Sequence, residues 1–217
     1  MRIDIWSDVI CPWCYLGARR FAAALDQVGR DGVEVHWRAF QLDPSAPREP
    51  GDLRTALERK YGPGSFDSMT QRLTALGRDE GIEYRFDRAL RVNTADAHRL
   101  IAWAGASGIP GAQDALVNRL FDDYFTQGAD VADHAALVAA AVAAGLDGDA
   151  AGELLASGGF DQQVRDDQAE AHERGISGVP AFVIDDQWVI PGAQDTERMV
   201  QLLGRVLERS AAGDGVS

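Results

Sequence analysis

Asp8-Val9-Ile10-Cys11-Pro12-Trp13-Cys14 carries both cysteines of the 217-residue chain, three positions apart. The apolar run Ile3–Trp6 precedes it. Leu16-Gly17-Ala18-Arg19-Arg20-Phe21 follows with helical spacing, so the pair falls on a strand-to-helix turn. Cys11 is then placed at the helix start, where unpaired N–H groups and the positive end of the helix dipole favour a thiolate over a thiol. Pro12 suits the first helical position, which has no use for an N–H. Cys14 comes almost one turn later, within reach of a mixed disulfide formed on Cys11. With no third cysteine, neither a structural disulfide elsewhere nor a four-cysteine zinc site can be built. The four histidines, His36, His98, His134 and His172, contain no H-x3–5-H pair that would complete a zinc site. A catalytic dithiol is the reading that uses both cysteines, against zinc or an inert buried pair, and no metal is expected.

Working outward, Val33, Val35 and Trp37 alternate with Glu34, His36 and Arg38 as a second strand, with His36 on its polar side. Gly29 or Gly32 ends the helix between the two strands. Pro44, Pro47, Pro50 and Gly51 then mark a loop, and from Asp52 to about Arg174 the patterning is helical nearly throughout. Its clearest stripe is Leu116, Val117, Leu120, Phe121, Tyr124 and Phe125, closed by Gly128. Asn93 or Thr94 caps another helix, which carries His98 in its second turn. After a helix over 160–174 come Gly178-Val179-Pro180 and two apolar runs, Ala181–Ile184 and Trp188–Ile190, flanking the turn Asp185-Asp186-Gln187: a hairpin with proline at its entry. A last helix, capped by Asp195, carries Met199, Val200, Leu202, Leu203, Val206 and Leu207. The small, polar tail over 211–217 is expected to fray.

Composition narrows the function classes. At 46% hydrophobic and 25% charged residues, the chain can bury a real core. A net charge of −13, with Lys60 the single lysine, repels phosphate backbones and anionic lipid, so neither nucleic acid nor a membrane is an expected partner. The chain enters a strand at its first residues, without a signal-like or membrane-spanning run, so a cytoplasmic location is expected. Disulfides there are mostly transient, which favours catalysis at Cys11 and Cys14.

Strand, CxxC helix, strand, long helical stretch, helix, proline-led hairpin, helix is the element order of a thioredoxin fold. The class is α/β, with a large all-helical insertion between the second strand and the third thioredoxin helix. On this division, residues 1–45 plus 160–217 form the thioredoxin-like domain and residues 46–159 the inserted helical domain. Four stretches carry a closer likeness: Asp8 to Tyr15; Phe40-Gln41-Leu42-Asp43-Pro44; Asn93-Thr94 through Ala97-His98-Arg99-Leu100; and Gly178-Val179-Pro180-Ala181-Phe182 with Pro191-Gly192-Ala193-Gln194. With these, the sequence resembles the DsbA-like thioredoxin superfamily, and within it the FrnE-type cytosolic branch.

The resemblance implies that Cys11 is an exposed attacking cysteine and Cys14 a buried resolving one, with Pro180 a cis-proline beside them. It implies that substrate meets Pro12, Trp13, Val179 and Pro180, with the Val179 backbone pairing to an extended substrate. Relatives with further C-terminal cysteines could regenerate the dithiol internally; this chain has none. In thioredoxin a buried acid stands six residues before the first cysteine, where Ile5 stands here. Asp8 is the nearest substitute for its proton-transfer role, or else stabilises the turn. His98 either faces the dithiol as an accessory group or sits on its helix surface.

Three functions follow. The first is a thiol–disulfide oxidoreductase, with disulfide isomerisation as a variant, acting on thiol- or disulfide-containing proteins or small molecules. It needs no cofactor, and glutathione would be a co-substrate. The second is a glutathione-dependent isomerase or transferase resembling the kappa-class transferases and 2-hydroxychromene-2-carboxylate isomerases, which typically carry serine where Cys11 stands. The third is a non-enzymatic accessory protein whose helices, covering the dithiol and shaping a groove, hold a partner. Oligomeric state is not written in the sequence.

Overall fold

Along β1 (Arg2–Ser7) the side chains alternate between two cores. Ile3 and Ile5 enter the main apolar cluster, while Trp6 enters a smaller one with Ala171, Ile176, Ala181 and Val183. The computed structural model describes residues 1–213, with side chains as far as Arg209, so the fraying expected over 211–217 lies outside the fully described residues. β1 pairs in parallel with β2 (Glu34–Ala39) on one side and antiparallel with β5 (Ala181–Ile184) on the other, and β6 (Trp188–Pro191) closes the hairpin. The strand order is β2-β1-β5-β6. Parallel strands need a crossover, supplied by α1 (Pro12–Val28), which packs against the C-terminal helix α9 (Thr196–Gly213). This is a thioredoxin-type fold.

The hairpin loop Asp185-Asp186-Gln187 takes positive φ at its first two residues, Asp185 (47°) and Asp186 (58°), the sense that the right-handed twist of the strands favours. Neither is glycine. Their carboxylates are held instead, Asp185 by the backbone N–H of Arg2 at 2.7 Å and Asp186 by the Arg174 guanidinium at 2.7 Å.

Between β2 and α8 (Asp161–Glu173) lie α2 (Leu53–Tyr61), α3 (Ser65–Asp79), α4 (Ala95–Ala106), α5 (Ala112–Asp122), α6 (His134–Ala143) and α7 (Gly148–Ala156). The insertion is not wholly helical. A two-stranded ribbon, β3 (Gly51–Asp52) with β4 (Leu90–Arg91), ties its entry to the start of α4, a pairing too short to leave a periodic signal. The α5 stripe ends in a π-helical turn, Asp123–Gln127, closed by Gly128 in the left-handed region.

Tyr15, the residue after Cys14, joins the insertion to α1. Its ring stacks on Phe121 at 5.1 Å and Phe125 at 6.0 Å and meets Tyr84 edge-on at 5.9 Å. The main apolar cluster therefore runs unbroken from Ile3 and Ile5 through Tyr15 to Leu137.

Candidate active site

Cys11 occupies the N-cap of α1 in extended conformation (φ −90°, ψ 112°), with Pro12 opening the first turn. Its N–H donates to the Asp8 carbonyl at 3.0 Å, and its own carbonyl accepts from Cys14 and Tyr15 at 3.0 and 3.2 Å. Both cysteines are free thiols. The Val179–Pro180 peptide bond is cis, and the Cys11 thiol points at the Val179 carbonyl, 3.7 Å away. Pro180's own carbonyl is taken by the N–H of Gly192 at 2.7 Å, which fixes the loop to the hairpin.

One expectation is corrected here. Cys11 is not the exposed cysteine of the resemblance: it is only 3% accessible, against 1% for Cys14. The Val179–Pro180 loop lies over it, and from the insertion the Tyr84 hydroxyl donates to the Pro12 carbonyl at 2.5 Å. Burial, and then the negative charge that forms at Cys11, push the Tyr84 phenol upward, so it stays protonated as a donor. Pro12 and Trp13 remain partly accessible, and the Arg72 guanidinium sits 5.6 Å above the Trp13 ring. The Val179–Pro180 loop covers Cys11 while Tyr84 and Arg72 of the insertion meet Pro12 and Trp13, and a groove of about 320 Å³ opens away from the dithiol, beside Phe21, Leu25, Val35 and Ile109.

The close approach of α1 to the proline loop depends on Gly17. A Cβ there would stand 2.8 Å from Pro180 Cγ and 3.4 Å from the Ala193 side chain. Mid-helix glycine costs about 1 kcal/mol relative to alanine, so Gly17→Ala would ordinarily stabilise. Here the buried ring must move, and overpacking of this kind costs about 1–3 kcal/mol. Gly17→Ala is expected to lower both the denaturation midpoint and the rate of disulfide exchange, by lifting Pro180 from α1. A raised midpoint with unchanged exchange kinetics would show that the contact is slack.

Behind the cysteines Asp8 meets the second and third quoted stretches, while the fourth supplies the loop over Cys11. Asp8 is fully buried: one carboxylate oxygen accepts from the Leu42 N–H at 2.8 Å, and the other lies 3.3 Å from His98 Nε2. His98 is itself 3% exposed, so it is not on the surface of its helix. Asn93 Oδ1 accepts from the Ala95 N–H at the start of α4, and its amide donates to the Pro44 and Ala46 carbonyls, pinning the loop after β2 to that helix. His36 stays on the solvated strand face beside Glu34.

Burial pushes the Cys14 thiol well above the ordinary thiol range, and its hydrogen bond and charge interaction with Cys11 act the same way. The neighbouring Asp8 backbone and Ser7 side chain act in the opposite direction, without outweighing burial. Ser7, Gly17 and Tyr84 were not singled out by the sequence. A glycine inside a strong helical pattern was the available signal for Gly17; Ser7 and Tyr84 act through contacts that no local pattern records.

Two thiols, one at a helix N-terminus and one a turn deeper whose proton burial retains, can exchange with an external disulfide. A DSBA-like thioredoxin domain model matches residues 2–204. The chain belongs to the DSBA-like thioredoxin family. Within that fold it is similar to the structure of a probable DsbA oxidoreductase from Streptomyces coelicolor, at 36% identity over 96% of this chain and 90% of that one, with a TM-score of 0.88. It is 27% identical to YwbO of Bacillus subtilis, over 89% of this chain and 90% of that protein. It is also 25% identical to a 2-hydroxychromene-2-carboxylate isomerase of Sphingobium xenophagum, over 85% and 89%. Membership of the DSBA-like family places the chain among oxidoreductases, with an isomerase relative beside them. Among the described residues no helix is long and apolar enough to cross a membrane.

Proposed function

We propose that this DSBA-like protein is a cytosolic thiol–disulfide oxidoreductase of the FrnE type, able also to isomerise disulfides. The observation that carries the reading is Cys11 at the N-cap of α1, aimed at the Val179 carbonyl, with Cys14 a turn deeper and its thiol pushed high by burial. Cys11 thiolate attacks one sulfur of a substrate disulfide, and the other sulfur leaves as a thiolate. Cys14 thiolate then attacks Cys11, expelling the second substrate thiolate and leaving a Cys11–Cys14 disulfide; two electrons have passed to the substrate. Run backwards, the same steps oxidise a substrate dithiol. Substrate docks along Pro12, Trp13 and the Val179 backbone, and glutathione serves as the co-substrate that resets the dithiol.

The isomerase relative supports a second reading, glutathione-dependent isomerisation or transfer on a small molecule. Insulin reduction assayed beside glutathione conjugation separates the two. The oxidoreductase reading expects insulin reduction that is lost in Cys14→Ser and no conjugation; conjugation persisting in Cys14→Ser without disulfide exchange supports the second reading and rejects the first.

A further inference from the structure

As a thiol, Cys11 faces an acceptor; as a thiolate it needs donors. Its S–H points at the Val179 carbonyl, 3.7 Å away, a contact that an anion cannot keep. An N-cap side chain ordinarily takes the N–H of the second or third helical residue, here Trp13 or Cys14. The Cys14 N–H is already given to the Cys11 carbonyl at 3.0 Å, and the reduced thiol makes no cap bond with either. Among the described residues, the Trp13 N–H is therefore the one of these two donors left for the sulfur. Its peptide unit carries the Pro12 carbonyl at the other end, and that oxygen is where the Tyr84 hydroxyl donates, at 2.5 Å.

The phenol is held in place by the insertion. Its ring stacks on Phe86 at 5.0 Å and meets Phe125 edge-on at 5.3 Å and Tyr15 edge-on at 5.9 Å. Gly77 of α3 makes the room, since a Cβ there would stand 2.5 Å from the Tyr84 ring. This inference deepens the oxidoreductase reading and rests on it. We infer that Tyr84 is a positioning residue for the Cys11 thiolate: by donating to the Pro12 carbonyl it polarises the Pro12–Trp13 peptide and strengthens the Trp13 N–H as a donor to the anionic sulfur. Hydrogen bonds in series reinforce one another by about 10–30% per bond, and the gain weighs most where the acceptor is ionised. One side chain of the insertion then sets how readily the dithiol goes into action.

The other ionisable groups around the turn are committed elsewhere. Asp8, from the loop before α1, gives its carboxylate oxygens to the Leu42 N–H and to His98. On α1 itself Cys14 keeps its proton through burial, Arg19 donates to the Tyr15 hydroxyl at 3.3 Å, and Arg20 pairs with Glu80 at 2.8 Å. From α3, the Arg72 guanidinium sits 5.6 Å above the Trp13 ring. The proline loop, Gly178-Val179-Pro180, and the stretch Pro191-Gly192-Ala193-Gln194 bring no ionisable side chain. Tyr84 is thus the neutral donor that reaches the peptide next to Cys11 from outside its helix.

The test uses the full reduced chain and 4,4′-dithiodipyridine, which releases one thiopyridone when Cys11 attacks and a second when Cys14 resolves. The first release is followed across the pH range in wild type and in Tyr84→Phe, which removes one oxygen and keeps the ring; the ratio of the two rates cancels the reagent's own pH dependence. A thiolate that forms less readily is also the better nucleophile, with a Brønsted slope of about 0.4–0.5. Tyr84→Phe should therefore be about twofold slower than wild type at the acid end of the profile, and as fast or up to about twofold faster at the alkaline end. In glutathione buffers on the alkaline side, its dithiol–disulfide equilibrium should move about threefold toward the disulfide. A rate ratio that is constant across pH, or an equilibrium equal to that of wild type, overturns the assignment; the constant ratio would mean a bond that only shapes the turn. Gly77→Ala, which shifts the ring and leaves the hydroxyl, should show the same crossing profile and keeps the test alive if Tyr84→Phe fails to fold. A wild-type protein that releases no second thiopyridone overturns the oxidoreductase reading itself, and this inference with it.

Discussion

Cys11→Ser is expected to lower the turnover of disulfide exchange by at least about 10³-fold, because the nucleophile forms the covalent intermediate and no neighbouring group can replace it. Serine keeps the N-cap position and the shape of the turn, so the loss falls on chemistry and not on folding. Cys14→Ser is expected to behave differently. Its first attack proceeds, and turnover stops at a mixed disulfide that persists. The asymmetry follows from position: Cys11 starts α1 with its thiol on the Val179 carbonyl, while Cys14 is a turn inside and held high by burial. Stopped-flow measurement of each step in each variant checks this, and equal loss of the first step in both would contradict the division of labour.

Arg99→Leu is expected to cost about 3–5 kcal/mol, the range for breaking a buried ion pair from one side. Arg99 is 4% exposed on α4, and its guanidinium donates to the carbonyls of Leu154 at 2.7 Å, Gly159 at 2.8 Å and Ser157, besides pairing with Asp96 at 2.8 Å. Leucine fills much of the space but leaves those carbonyls and a buried carboxylate without their donor. The Asp96 carboxyl is subject first to burial, which would raise it. Hydrogen bonds from His134 and Arg99 and the charge of Arg48 outweigh burial and hold it below its ordinary value. A carboxyl lowered on folding adds stability that is complete above its unfolded value, about 3.9, and is lost as pH falls through the folded one. The Arg99→Leu penalty should therefore be full at pH 7 and shrink below about pH 4. Urea denaturation at several pH values measures it; a penalty below 1 kcal/mol at pH 7 would show that the carbonyls find other donors.

How far the sequence carried this account depends on the range of the contact concerned. The N-cap cysteine, Pro12, the α5 stripe and the acidic hairpin turn were all readable, because each is decided by neighbours within a turn or two. The proline loop was readable only through a resemblance. What escaped was pairing at a distance. Asp8 and His98 are 90 positions apart, and Tyr84 and Pro12 are 72 apart. A histidine in the second turn of a capped helix gives no sign of which face will be covered. The accessibility of Cys11 was misjudged for the same reason, since the loop that covers it arrives from residue 179. Arg99 entered the sequence reading only as one member of a quoted stretch, yet from α4 it holds the end of α7 and the start of α8.

The central claim is that Cys11 alone bonds to the substrate sulfur. Reduced Cys14→Ser and reduced Cys11→Ser proteins, each incubated with one equivalent of a disulfide-bonded peptide and examined by intact mass, test it most directly. The account predicts a stable one-to-one mixed disulfide on Cys14→Ser and none on Cys11→Ser. An adduct on Cys11→Ser at a comparable rate, or no adduct on either, would contradict it.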